Sequence, residues 1–593
     1  MSPGPGRSGL LCELAPDGSR LGEPLFADDL AGAVGDRERA GEARWVWPAT
    51  ARLYPELLRA GVSVSRCHDL ALTEALLRSR DGQPAGDTAE SSWWLISGPA
   101  AARSSGPAEA QPALFEAQLP DDGQQGDPAA MLDAVVATHA DQQARIGQDA
   151  RPAAFSLLVA TESACGLAAA EMTMAGIPWQ SAVHDALLTE LLGSRPPPLT
   201  GLHPRSAAGP PPRPARLAEL VAQISAALGP GRPVNPDSPS QLLRALATAG
   251  VRVPSTQLSV LRGVDHPVIG PLLEYKELSR LHAAFGWAWL DTWVSAGRFR
   301  PEYVVGGVVS GRWASRGGGA LQIPRLLRRA VVADPGWVLV VADAAQLEPR
   351  VLAALAGDRA FTEAASGGDV YAALAGAFDG DRSKAKVALL SAMYGGAGGS
   401  AGQLLAVLRS RFPAASRYVE AAARAGEEGR VVRSVLGRSC PPPSKGWRAL
   451  TEESGDPDSE RDPAAGRASR ARGRFTRNFV VQASAADWAA VLLAGLRARL
   501  AAMGTPGSDQ AGQPAGSASA GPGGSGAAGG RGIPELVFFQ HDEVIVHCPQ
   551  ALGDQVAEAV SDAAEQATRL VFGATRVAFP MTTAVVTCYA DAK

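Results

Sequence analysis

Two apolar runs that each deliver a carboxylate constrain this 593-residue chain more than any other feature. The first, Val338-Leu339-Val340-Val341-Ala342-Asp343, is a buried-strand pattern, and its acid arrives where the chain turns into a helix starting near Ala345. Pro349 is compatible with that helix only in its first turn, where its missing N–H costs nothing. Taken alone, Asp343 suits an N-cap better than a metal ligand. The second run, Val537 to Val546, reads as two strands meeting at a tight turn tipped by His541-Asp542-Glu543, which alone suits a solvated turn as readily as a site. Two carboxylates on adjacent strands are what two-metal phosphoryl chemistry requires, but the sequence by itself does not bring Asp343 and Asp542 together.

A third run lies between them. In Arg382-Ser383-Lys384-Ala385-Lys386-Val387-Ala388-Leu389-Leu390-Ser391-Ala392-Met393-Tyr394-Gly395, steps of four put Arg382, Lys386, Leu390 and Tyr394 on one helical face. A merely solvated charged stripe does not normally end in Leu and Tyr. Cations at one end suit a triphosphate, and the apolar end suits a sugar and base.

Bulk properties add bounds. The length predicts two to four domains. A hydrophobic fraction of 46% and mean hydropathy of −0.02 fit a soluble globular protein, and no apolar run of about 18 residues is evident, so no membrane segment is expected. Met1 to Leu11 lacks the pattern of a signal peptide, which predicts a cytoplasmic protein. Six cysteines without a CxxC pair argue against a disulfide framework or a zinc site and read as reduced thiols. A net charge of −4 makes no global case for nucleic-acid binding. Only five lysines stand against 51 arginines, a bias that fits a GC-rich genome, and two of the five lie in the 382–394 run.

Along the chain, residues 1 to about 150 mix short apolar runs with helical patterns such as Ala51 to Ala60 and Leu70 to Leu77, predicting a small α/β domain. Residues 155–215 read as helices and a Pro-rich linker around Pro196 to Pro212. Helical periodicity resumes in Leu217 to Leu228, Ser240 to Ala249 and Val268 to Val294. Ser444 to Gly473, dense in charge, Pro and Gly, and Gly504 to Gly532, with 11 glycines, are expected to be disordered insertions.

The runs resemble the motifs of family A DNA polymerases, the DNA polymerase I type. Asp343-Ala344-Ala345-Gln346-Leu347-Glu348-Pro349-Arg350 resembles motif A, the 382–395 run resembles the fingers helix with Leu390 in place of its aromatic residue, and His541-Asp542-Glu543 resembles motif C. Arg474, Asn478 and Gln482 resemble the R-x-x-x-N-x-x-x-Q helix that tests minor-groove acceptors. Ser310-Gly311-Arg312 with Leu321-Gln322-Ile323-Pro324 resembles the T-G-R…L-Q-N-I-P segment, while Arg316 to Gly319 departs from it. The resemblance covers roughly 160 to 593.

It implies an α+β multidomain fold. A right-hand polymerase, with an antiparallel palm sheet and helical fingers and thumb, would follow an N-terminal α/β degenerate ribonuclease-H-like exonuclease domain. Its parts would be 1–150 exonuclease-like, 155–215 connecting, 216–300 thumb and 301–593 palm and fingers, the fingers at about 355–440. It also implies roles: Asp343, Asp542 and the Ala344 carbonyl as ligands of two Mg²⁺ ions, with Mn²⁺ a possible substitute, and Glu543 nearby. Glu348 would be the steric gate, and Arg382, Lys386, Leu390, Tyr394 and Gln346 would bind the nucleotide, Lys386 also protonating pyrophosphate. Arg312, Arg350, Arg474, Asn478, Gln482 and His541 would bind DNA. The implied partners are primer–template DNA and deoxynucleotides, for a monomer at the nucleoid.

In the N-terminal part the nearest equivalent of the exonuclease Asp-x-Glu strand is Leu11-Cys12-Glu13-Leu14, which lacks the first acid, so proofreading is expected to be absent. The competing readings are a non-catalytic DNA-binding scaffold, an enzyme with a working N-terminal exonuclease, and an RNA-copying or repair-specialised polymerase on the same site. A scaffold would be expected to lose Asp343, Lys386 or Asp542, and all three are present.

Overall fold

The protein is described by a computed structural model, which covers all residues except 4–6, 42, 84–126, 197–212, 230–233, 320–322, 377, 395–405, 407–408, 453–462, 504–531, 541 and 593. The chain divides into two compact units. The first comprises Met1–Ala175, Glu302–Ser315 and Gly336–Val586, and the second Gly176–Pro301, Arg316–Pro335 and Thr587–Lys593.

The centre of the first unit is a four-stranded antiparallel sheet. Its order is Glu535–Gln540, Glu543–Pro549, Trp337–Ala344, Met581–Val586. Trp337–Ala344 is an inner strand and so reads as the near-continuous apolar run that the sequence suggested, with Leu339, Val340 and Ala342 fully buried. Helix Gly553–Phe572 packs on the sheet and helix Pro463–Met503 packs on that helix, and Trp488 stacks on Phe579.

The N-terminal part of this unit holds a three-stranded antiparallel sheet (Ser2–Pro3, Gly9–Leu11, Leu25–Ala27) and a parallel pair, Arg44–Trp47 with Arg66–Asp69. Helices Thr50–Arg59, Leu70–Arg80 and Pro128–Gly147 accompany them, matching the α/β pattern. Cys12 follows the Gly9–Leu11 strand, its Sγ 3.4 Å from the Glu13 carbonyl. The run Trp93 to Ile96 lies outside the described residues.

The second unit is mostly helical. Ala215–Ala227, Pro239–Thr248 and Ile269–Phe285 bury Leu220, Ile224, Leu242, Leu246 and Leu272 in one core, as their periodicity required. Trp179, Trp289 and Phe299 pack on one another, Trp179 and Phe299 edge to face and the other pairs tilted, beside a small sheet ordered Ile177–Pro178, Arg298–Phe299, Val294–Ser295.

Two sequence expectations need correction. Ser444 to Gly473 is not wholly irregular: Lys445–Glu452 is helical, and the helix Pro463–Met503 runs through Gly473. The cause is packing. Gly473 and Gly426 let this helix and Pro413–Glu427 approach so closely that a Cβ on Gly426 would fall 2.0 Å from Thr476 Oγ1. Most of Gly504 to Gly532 lies outside the described residues. The second correction concerns apolar length. Pro152–Ala175 and Pro463–Met503 are long and apolar enough to cross a membrane, but 61% and 78% of their apolar windows are buried against the protein itself. All six cysteines are free.

Candidate active site

The sheet register decides how the two acids relate. Asp343 pairs with Glu543 on one side and Thr582 on the other, and Ala344 N–H donates to the Asp542 carbonyl at 3.0 Å. The last residues of one strand and the turn of the hairpin therefore meet at one end of the sheet. Glu543 is buried, while Asp343 and Asp542 are half-exposed. In an extended residue the N–H and C=O face the same side, so the Ala344 carbonyl also turns toward the hairpin. Two carboxylates and a carbonyl are a hard-oxygen donor set that fits a divalent cation of the magnesium type. Among the described residues no group of three or more His, Cys, Asp or Glu side chains is gathered as a metal site, at this end of the sheet or elsewhere. His541 lies outside the described residues, as do Leu321, Gln322 and Gly395.

Asp343 does not cap the following helix. That helix is Leu347–Ala356, and its N-cap residue is Gln346, held at φ 56°, ψ 49°. The left-handed backbone at a non-glycine residue is costly and is kept by its side chain, whose amide donates to Asp369 Oδ1 (2.8 Å) and accepts from Val370 N–H (2.7 Å). Asp369 in turn caps helix Val370–Ala375 and accepts from Arg382 Nε at 2.7 Å. Burial pushes the Asp369 carboxyl up, but Arg382, Gln346 and backbone N–H groups outweigh it and hold its pKa down to about 2.

Helix Arg382–Tyr394 carries the expected stripe with a gradient of exposure: Arg382 and Lys386 are exposed, Leu390 and Tyr394 half-buried. The Tyr371 ring lies 5.6 Å from the Arg382 guanidinium and 6.0 Å from Lys386 Nζ. At the other end the Tyr394 hydroxyl donates to Glu348, whose second oxygen accepts from Arg312. Burial pushes the Glu348 carboxyl up, and Arg312 pulls it back toward the charged form. Arg312 follows Gly311, which sits at φ 85° with a Cβ position only 2.3 Å from Arg438 Nε, so only glycine fits there. Arg438 is itself buried between Glu162 and Asp487.

Two of the residues expected to touch DNA are used elsewhere. Arg350 is fully buried and donates to the carbonyls of Ala345, Ala365, Gly367, Gly368 and Ala578, which leaves its guanidinium no donor for a phosphate. With its amide nitrogen turned toward them, Asn478 donates to the carbonyls of Met393 (2.9 Å) and Arg474 (3.2 Å), tying the long helix to the stripe-bearing one. Arg474 is exposed and Gln482 half-buried on the same face. Sequence reading missed Asp369, Tyr371, Arg438 and Glu162. For Asp369 a signal existed, a Gly-Gly-Asp before an apolar helix start, but it points to a cap and not to Arg382.

The sequence profile of DNA polymerase family A matches residues 214–587, more than half of the chain. The chain belongs to that family. DNA polymerase I of Chloroflexus aurantiacus is 28% identical over 267 residues, covering 38% of this chain and 28% of that protein. The thermostable DNA polymerase I of Thermus thermophilus is 26% identical over 400 residues, covering 59% and 41%. The chain thus spans less than half the length of these curated relatives. Among solved structures, the POL domain of Pol1 from M. smegmatis, in complex with DNA primer-template and dNTP, superposes with a TM-score of 0.67 at 18% identity, covering 99% of this chain and 96% of that one. The likeness in fold therefore extends over the N-terminal residues that the profile leaves out.

Proposed function

We propose that this chain is a template-directed DNA polymerase that adds deoxynucleotides to a primer 3′-hydroxyl by two-metal nucleotidyl transfer at Asp343 and Asp542. One observation carries the reading: in a member of this family, the strand register draws two acids that are remote in sequence to one sheet end. Asp343, Asp542 and the Ala344 carbonyl would hold two Mg²⁺ ions, or Mn²⁺, with Glu543 behind them. When bound, these ions lower the pKa of the attacking hydroxyl and offset charge on the leaving pyrophosphate.

The protein's own groups account for the rest. Arg382 and Lys386 take the triphosphate. The present Arg382–Asp369 pair is exposed and contributes at most about 1 kcal/mol, so a tetra-anionic ligand displaces it. Lys386 donates a proton to the departing pyrophosphate. Glu348, fixed from both sides, leaves no room for a ribose 2′-hydroxyl, and Leu390 and Tyr394 pack against sugar and base. Arg474 and Gln482 lie along the minor groove on the helix that Asn478 ties to the fingers helix, and Arg312 reaches the primer strand with the N–H groups that its bond to Glu348 leaves over. In this layout the sheet is the palm, 355–440 the fingers and 216–300 the thumb. The N-terminal α/β part acts as a degenerate exonuclease domain without proofreading, supported by Leu11 where the first acid of the Asp-x-Glu pattern would stand.

The test is extension of a labelled primer–template with Mg²⁺ and the four deoxynucleotides, beside a lane without nucleotides. Extension across the template supports the reading, and an intact primer in the second lane supports absent proofreading. No extension by folded protein over varied metal and salt overturns the reading in favour of a DNA-binding scaffold.

A further inference from the structure

The long helix Pro463–Met503 carries more positive charge than its Arg474, Asn478 and Gln482 triplet. Arg470 and Arg467, one and two turns earlier, are exposed. At 100° per residue, 467, 470, 474, 478 and 482 fall within one third of the helix circumference. The opposite face is fixed against Pro413–Glu427 by Gly473 and Thr476, Thr476 Oγ1 donating to the Ala422 carbonyl at 2.7 Å. The stripe therefore cannot rotate inward. Arg472, by contrast, points to Trp447, whose indole N–H donates to the Ala468 carbonyl. Arg467, Arg470 and Arg474 have no acidic partner among the described residues, in a chain whose net charge is −4.

We propose that Arg467 and Arg470 extend the nucleic-acid face of this helix, contacting backbone phosphates of duplex primer–template. The inference rests on the polymerase reading and deepens it. Two observations favour double-helical DNA as the occupant. The basic segment is continuous with the Arg474 and Gln482 face, and its arginines have no acidic partner among the described residues. From 467 to 482 the helix rises about 22 Å, roughly six base pairs of duplex. The sequence signal was present, but Pro, Gly and charge density made 444–473 read as irregular.

The experiment measures binding of fluorescent primer–template duplex to the full chain by anisotropy, from about 50 to 300 mM salt without nucleotide. It compares wild type, Arg467→Gln/Arg470→Gln, Arg467→Lys/Arg470→Lys, and a control pair, Arg359→Gln/Arg569→Gln, at exposed arginines of other helices. Circular dichroism checks that each is folded. The expected result is a Kd about ten-fold weaker for the Gln pair and a salt slope reduced by about 2, with recovery in the Lys pair and less than a two-fold shift in the control. An unchanged Kd and slope in the Gln pair overturns the inference, as does a loss seen with single-stranded oligonucleotide but not with duplex. If wild type neither binds duplex nor extends a primer, the polymerase reading itself fails; if it does both, only the stripe is at stake.

Discussion

Asp69 and Asp343 both stand at the C-terminal end of a strand, and the two regions surround them differently. Arg66–Asp69 runs straight into helix Leu70–Arg80, so Asp69 lies within reach of the first free N–H groups and accepts from Leu72 (2.9 Å) and Thr50 (2.7 Å). It is 2% exposed, and burial pushes its carboxyl up despite those bonds. Asp343 is followed by three residues before its helix begins at Leu347, and Gln346 takes the N-cap position. That spacer releases the acid to face Glu543 and the Asp542 turn. Under the proposed function, the difference between a structural and a chemical carboxylate here is a matter of where the next helix starts.

The largest expected effect would break this comparison if it failed. Asp343→Asn should lower primer extension by at least about a thousand-fold, the size expected when several kcal/mol of charge stabilisation is removed. Asp69→Asn should leave extension by folded protein near wild type and cost about 1–3 kcal/mol of stability, read from urea melts. Loss of extension in a well-folded Asp69→Asn protein would erase the distinction.

The arginines sharpen it next. Arg438 is buried between Glu162 and Asp487, so Arg438→Met leaves two buried acids unpaired and should cost about 3–5 kcal/mol in the same melts. A third effect is local to the Asp69 region. His68 is 3% exposed, and Gln142, whose amide N–H is spent on the Leu70 carbonyl, faces its Nε2 with an acceptor oxygen 2.9 Å away. Burial, with His139 and Arg44 adding repulsion, depresses its pKa to about 4 from 6.5 against the pull of Gln142. The unfolded chain therefore takes up a proton between pH 6.5 and 4 that the folded chain does not. Stability is full above 6.5 and falls by up to roughly 3 kcal/mol as pH drops to 4. Hydrogen exchange of the Arg66–Asp69 strand should quicken over that window, and His68→Gln should flatten the dependence. The smallest effect on stability is expected at the exposed Arg382. Arg382→Ala should shift melts by less than about 0.5 kcal/mol yet raise KM for deoxynucleotides at least ten-fold, checked by steady-state kinetics.

The elements that depend on local pattern were readable from the chain. Val338 to Asp343 and Val537 to Val546 announced strands because their apolar runs are buried on both faces, and the 382–394 stripe announced its own orientation. What depends on distant carbonyls was not. Arg350 reads like any arginine at the start of a helix, and nothing in its neighbours shows that Ala365, Gly367, Gly368 and Ala578 will converge on it. Glu162 and Arg438 are likewise ordinary in sequence and meet only through the fold. The helical start of Pro463–Met503 was hidden because Gly473, which seems to break it, is a residue that lets Pro413–Glu427 pack against it.

The most direct test of the central claim is single-nucleotide incorporation on four primer–templates that differ only in the templating base, with one deoxynucleotide per reaction and Mg²⁺ present. The account predicts that wild type and Asp69→Asn add only the complementary nucleotide on each template, and that Asp343→Asn and Asp542→Asn add none. Incorporation that ignores the template, or that survives in either acid variant, would contradict it.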